Sequence, residues 1–110
     1  MKKILGHALA AMALLGPMPH AFAGDYTGTF RPYFYSDNLY IEEVSVQKSS
    51  VPACVKRNLL KLPADPASPA FKNEYAMLLA AWYTGRTLYI SGSGNCTSEG
   101  DELVFVITPQ

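Results

Sequence analysis

The sequence predicts a mainly β protein with one helix, ordered β-β-β-α-β-β and stabilised by a disulfide. Three observations carry that expectation. The stretch Ser68 to Cys96 reads as a capped helix, a glycine stop and a strand. Segments with apolar residues at every second position lie on both sides of it. The two cysteines, Cys54 and Cys96, form an even pair in a chain that opens with an export signal.

That signal comes first in the chain. Lys2 and Lys3 form a positive n-region, Ile4 to Leu15 is apolar, and Ala21-Phe22-Ala23 is an A-x-A cleavage site. Residues 1-23 are therefore expected to be removed between Ala23 and Gly24, leaving 24-110 as one domain of 87 residues. The apolar run falls short of the about 20 residues that span a membrane. Its alanines and leucines behind two lysines have a bacterial character. The expected destination is the periplasm or the exterior.

Cleavage leaves seven basic residues against nine acidic ones, a net charge of about −2, with the basic residues scattered. Neither nucleic acid nor an anionic membrane is an expected partner. Both histidines, His7 and His20, fall in the signal. The mature chain then has no Ser-His-Asp triad, no Cys-His pair and no histidine metal ligand. No catalytic, metal or cofactor residue is expected. A Cys54–Cys96 bridge would close a loop of 42 positions, worth about 4 kcal/mol in the chain-entropy account.

Tyr26 to Tyr35 reads as the first strand, with Phe30 and Phe34 on one face and Thr29, Arg31, Tyr33 and Tyr35 on the other. Gly28 and Pro32 place it at an edge or a bend, and Ser36-Asp37-Asn38 turns the chain. Leu39 to Val46 is the second strand. Its apolar positions change parity across Glu42-Glu43, which predicts a bulge there. Cys54 to Leu62 is expected as the third strand, before prolines 63, 66 and 69.

Ser68 is a good N-cap and Pro69 suits the first helical position. Phe71, Tyr75, Leu78, Leu79 and Trp82 then trace one helical face up to Gly85. Arg86 to Ser91 is strand four, with Leu88 and Ile90 on one side, and Gly92-Ser93-Gly94-Asn95 is expected to break it. Glu102 to Thr108 is strand five. Apolar on both faces, it is expected to be central or covered on both sides. A helix between the third and fourth of five strands is the order of the OB-fold, a small partly open barrel.

Three groups of residues are candidate sites. Arg31, Tyr33 and Tyr35 on the first strand, with Tyr40 across the turn, offer stacking rings and polar tips suited to a glycan. Ala76, Ala80 and Tyr83 lie in a helical half without charge, which points to self-association. Glu42/Glu43 and Asp101/Glu102 are adjacent acidic pairs. Neighbours in a strand face opposite ways, so they are expected to be solvated strand ends rather than paired catalytic carboxylates. Gly92-Ser93-Gly94 lacks the following helix and Lys-Ser/Thr of a phosphate loop.

The run Tyr75-Ala76-x-Leu78-Leu79-x-Ala81-x-Tyr83-Thr84-Gly85-Arg86-x-Leu88-x-Ile90 resembles the helix–glycine–strand segment of small secreted bacterial OB-fold proteins. Among these are the pentameric B subunits of subtilase-cytotoxin and pertussis-type toxins. The resemblance covers this one segment and brings no binding residue with it. It implies a non-catalytic, oligomeric binding module of toxin-B-subunit type, with glycans as ligands. The alternative is a periplasmic accessory protein that binds a protein partner. The chain itself gives no sign of a catalytic partner subunit.

Overall fold

A computed structural model describes residues 23–36, 38–63 and 65–110. The signal segment up to residue 22, with both histidines, lies outside the described residues, as does Asp37 of the turn. Five strands close into a barrel in the order β1-β2-β3-β5-β4, an OB-fold-like arrangement. The strands are β1 (Asp25–Tyr35), β2 (Asn38–Ser49), β3 (Leu59–Lys61), β4 (Leu88–Cys96) and β5 (Glu102–Pro109). The helix α1 (Pro69–Thr84) connects β3 to β4. All pairings are antiparallel except β3 with β5. Among the described residues no helix is long and apolar enough to cross a membrane.

The parity change in β2 is a bulge. Thr29 pairs with Ser45 while Phe30 pairs with Glu43, so Val44 is skipped and points outward, 53% exposed. This lets Leu39 and Ile41 before the bulge and Val46 after it all face the core. Gly28 is required by close approach, since a Cβ there would lie 1.9 Å from the Ser45 carbonyl oxygen. Beyond Gly28, β1 has no pairing with β4, and Pro32, opposite Ile41 of β2, sits in that one-sided stretch, the kind of edge where proline is tolerated.

Helix α1 forms as its caps dictate. Ser68 Oγ accepts from the Phe71 N–H at 3.2 Å, and Gly85 adopts φ 68° and ψ 24° to end it. Its buried residues are Phe71, Leu78 and Ala81, with Tyr75 and Met77 beside them. The inward face is thus rotated toward Ala81, and Trp82 sits at the rim, 37% exposed. Phe34 at the end of β1 meets the Tyr75 ring edge-on at 5.2 Å and the Phe71 ring at 6.5 Å. These contacts seat the helix on the barrel beside the unpaired part of β1.

Two expectations change, and a third, the central place of β5, holds. Only Leu59–Lys61 of the expected third strand pairs, because Val55 N–H turns back to the Pro52 carbonyl and Lys56 N–H is drawn to Gly100 O. The glycines after Ser91 do not end β4, which continues through two register shifts to Cys96. Strand β5 is central, paired on both edges, yet its outer face is bare: Phe105 is 72% and Val106 40% exposed. Phe105 is the residue skipped where Gly92 pairs with Val104 and Ser91 with Val106. The Cys54–Cys96 disulfide is formed, with Cα atoms 6.0 Å apart.

Candidate functional site

The turn between β1 and β2 brings tyrosines from both strands to one outer surface. Tyr33 pairs directly with Tyr40, and their rings stand 6.1 Å apart at 48°. Tyr35 lies one repeat further along β1, on the same side. Ser36, with φ 50°, makes the left-handed step of the turn, and the Asn38 side-chain amide donates to its carbonyl at 3.2 Å. With Arg57, Leu59 and Glu99 these residues line a recess of 480 Å³. Tyr33 is 42% and Tyr35 58% exposed, so both rings present open faces.

Arg31 lies on the same face, one row away, where it pairs with Glu42 opposite it and does not line the recess. The guanidinium inside the recess is that of Arg57, which the sequence reading did not single out. Its Nε donates to Asp101 Oδ1 at 2.9 Å and its Nη2 to Oδ2. Asp101 is fully buried. This carboxylate holds the Arg57 charge firmly, its hydrogen bond raising the arginine pKa further.

The wall that carries Arg57 and Glu99 is built from two loops tied together. The disulfide joins Cys54 before β3 to Cys96 at the end of β4. Lys56 N–H donates to Gly100 O at 2.8 Å, and Thr97 N–H to Asp101 O at 2.8 Å. Gly100, with φ 94°, packs where a Cβ would lie 2.7 Å from that of Lys56. The bridge therefore positions the recess as well as stabilising the chain.

The acidic pairs are not solvated strand ends. Asp101 and Glu102 are both fully buried, and the Glu43 side chain is 5% exposed, paired with Lys48 Nζ at 2.8 Å. Glu102 accepts from the Tyr26 hydroxyl at 2.6 Å and from the Gly24 and Gly94 N–H groups at 3.0 and 2.8 Å. Gly92 admits it, since a Cβ there would lie 2.0 Å from Glu102 Oε2. Burial, then the hydrogen bond to Glu102, raises the Tyr26 phenol well above the ordinary tyrosine value. The sequence signal was the cluster of glycines facing a carboxylate across a strand pair, legible only once the register is known.

A second, apolar groove of 190 Å³ runs along the C-terminal half of α1, between Met77, Ala80, Ala81 and Thr84 and the chain ends at Arg86 to Leu88 and Pro109. Ala76 and Ala80 are exposed, and Tyr83 is 82% exposed. Among the described residues, no group of three or more His, Cys, Asp or Glu is placed to hold a metal. No family model, curated protein or solved structure matches the chain.

Proposed function

We propose that this chain is a non-catalytic, exported binding module for glycans, acting as a homo-oligomer and similar in role to toxin B subunits. The observation that carries the reading is the convergence of Tyr33, Tyr35 and Tyr40 on one recess with Asn38, Arg57 and Glu99 at its polar edge. Open aromatic faces pack on the C–H patches of a sugar ring, and fixed donors and acceptors select its hydroxyls. A recess shallow enough to leave two of its tyrosines about half exposed suits weak single sites, strengthened by multivalency. The uncharged helix half with Ala76, Ala80 and Tyr83 supplies a surface for self-association. Export is supported by the n-region, apolar run and A-x-A site, and by a disulfide that needs an oxidising compartment.

A glycan array probed with the chain starting at Gly24 tests the reading. Binding that is lost in Tyr33→Ala and Tyr35→Ala, with unfolding temperature unchanged, is the expected result. One observation favours a protein partner instead: Phe105 and Val106 expose apolar surface on the outer face of β5. An empty array, with a periplasmic protein recovered whose binding fails in Phe105→Ser, would establish that second reading.

A further inference from the structure

Among the described residues, the partners of the buried Glu102 carboxylate are all neutral. Glu102 is fully buried, and the hydrogen bonds found for it come from the Tyr26 hydroxyl and the Gly24 and Gly94 N–H groups. The ion pairs found among the described residues join Arg31 to Glu42, Lys48 to Glu43 and Arg57 to Asp101. None reaches Glu102. A buried carboxylate held only by neutral donors is costly unless a cation joins it.

The nitrogen that touches Glu102 Oε2 at 3.0 Å belongs to Gly24, the residue directly after Ala21-Phe22-Ala23. We propose that cleavage after Ala23 supplies the missing cation: the freed α-ammonium of Gly24 forms a buried ion pair with Glu102. The inference rests on the export reading above. Hydrolysis of the Ala23–Gly24 amide consumes one water. Its oxygen goes to the Ala23 carbonyl carbon, which leaves as carboxylate, and both water protons end on the Gly24 nitrogen as –NH3+. A single neutral donor thus becomes a charged group with three N–H bonds, at a place already occupied by the carboxylate.

The backbone around Gly24 holds its nitrogen beside the carboxylate. The Gly24 carbonyl accepts from Gly92 N–H at 2.8 Å, which pins the residue into the sheet one position before β1 begins. Gly24 is buried. A Cβ on it would lie 2.6 Å from Glu102 Oε1 and 2.7 Å from the Tyr26 hydroxyl, so glycine is required for the approach. A chain starting one residue earlier places its ammonium beyond the carboxylate and leaves an amide N–H in contact. Processing to the correct residue is therefore read out as stability of the mature barrel.

Two chains, one starting at Gly24 and one retaining Ala23, are refolded with the disulfide formed and unfolded in denaturant. The Gly24 chain is expected to have an unfolding equilibrium constant at least about tenfold smaller, a hydrogen bond to a charged group being worth more than a neutral one. In Glu102→Gln that difference is expected to vanish. Equal stabilities in the wild-type pair, or a difference that survives Glu102→Gln, overturn the proposal. Should Glu102→Gln not fold, acylation of the α-amine in the native Gly24 chain decides. Labelling slowed at least about tenfold relative to the denatured chain supports the pair, and equal rates overturn it. N-terminal sequencing of the exported protein that finds a start other than Gly24 overturns the processing step and leaves the glycan reading untouched.

Discussion

Arg57 and Asp101 are joined by two parallel hydrogen bonds, from Nε to Oδ1 and from Nη2 to Oδ2, although the aspartate is fully buried and the arginine side chain 43% exposed. The pair lets a solvent-facing recess keep a fixed guanidinium. Its second guanidinium edge stays available to a ligand. Arg57→Ala leaves the buried Asp101 carboxylate with only the Thr97 hydroxyl, 3.4 Å from Oδ2, among the side-chain partners found for it, and removing one partner of a buried charge is costly. Thermal unfolding of Arg57→Ala is expected to fall by more than about 5 °C. Arg57→Lys, which cannot make the two-pronged contact, is expected to fall in between. A variant as stable as wild type would show the pair to be ornamental.

Tyr26 is expected to weaken the fold at alkaline pH. Its phenol is raised above the ordinary tyrosine value of 10.0, first by burial and next by its bond to Glu102. The folded state therefore holds a neutral phenol at pH values where the unfolded chain has ionised. This contribution is complete below about pH 10 and is lost as the pH rises beyond it. In phenolate absorbance, one tyrosine of the seven should ionise only as the barrel unfolds. Tyr26→Phe should lose less stability between pH 10 and 11 than wild type does, and parallel curves for the two would contradict this.

Two glycines should respond to alanine for opposite reasons. Gly92 is tight: the new Cβ would meet Glu102 Oε2 at 2.0 Å, and that carboxylate is held by three bonds and cannot retreat. Gly92→Ala is expected to cost roughly 3 kcal/mol, as overpacking does. Gly85 has nothing within 4 Å but sits at φ 68°, so Gly85→Ala is expected to cost about 1 kcal/mol through the backbone alone. Denaturant midpoints of the two variants check the order.

Replacing Cys54 and Cys96 together by alanine opens a separation of 42 residues and is expected to cost about 4 kcal/mol. The recess should suffer with it, because the bridge holds the loops of Arg57 and Glu99 together. Under conditions where the variant is still folded, its affinity for any ligand of the Tyr33/Tyr35 surface should also fall. Unchanged affinity would mean that the backbone bonds of Lys56 and Thr97 position the wall without the bridge.

Ala80→Glu places a charge beside the apolar groove of α1. Light scattering at micromolar concentration should show the wild-type chain as an oligomer and the variant as a smaller species. A wild-type monomer, unaffected by Ala80→Glu, would remove self-association through this surface.

Much of the architecture was legible along the chain, because caps, stops and periodicity are local. Ser68, Pro69 and Gly85 delimit the helix by their own chemistry, and the parity change at Glu42-Glu43 betrayed the bulge at Val44. The tyrosine surface was legible too, since a short turn fixes which residues of two strands are opposite. What escaped notice depends on pairing between distant residues. Asp101 and Glu102 look like a solvated strand start until Arg57, 44 residues away, and Gly24, 78 away, are brought to them. Trp82 continues the apolar periodicity of the helix, yet it sits at the rim while the smaller Ala81 is buried.

The barrel is closed at β3 by just two residue pairs with β5, Leu60 with Glu102 and Lys61 with Leu103. The disulfide lies just upstream of both strands in that seam. Reduction therefore acts as a latch release: the sheet can uncurl there without dismantling β1, β2 or β4. An uncurled sheet offers two unsatisfied borders, each a template for another chain. The first sign of a reducing environment should be intermolecular strand pairing, seen as amyloid-type assembly, before the helix or the β1–β2 ribbon melts.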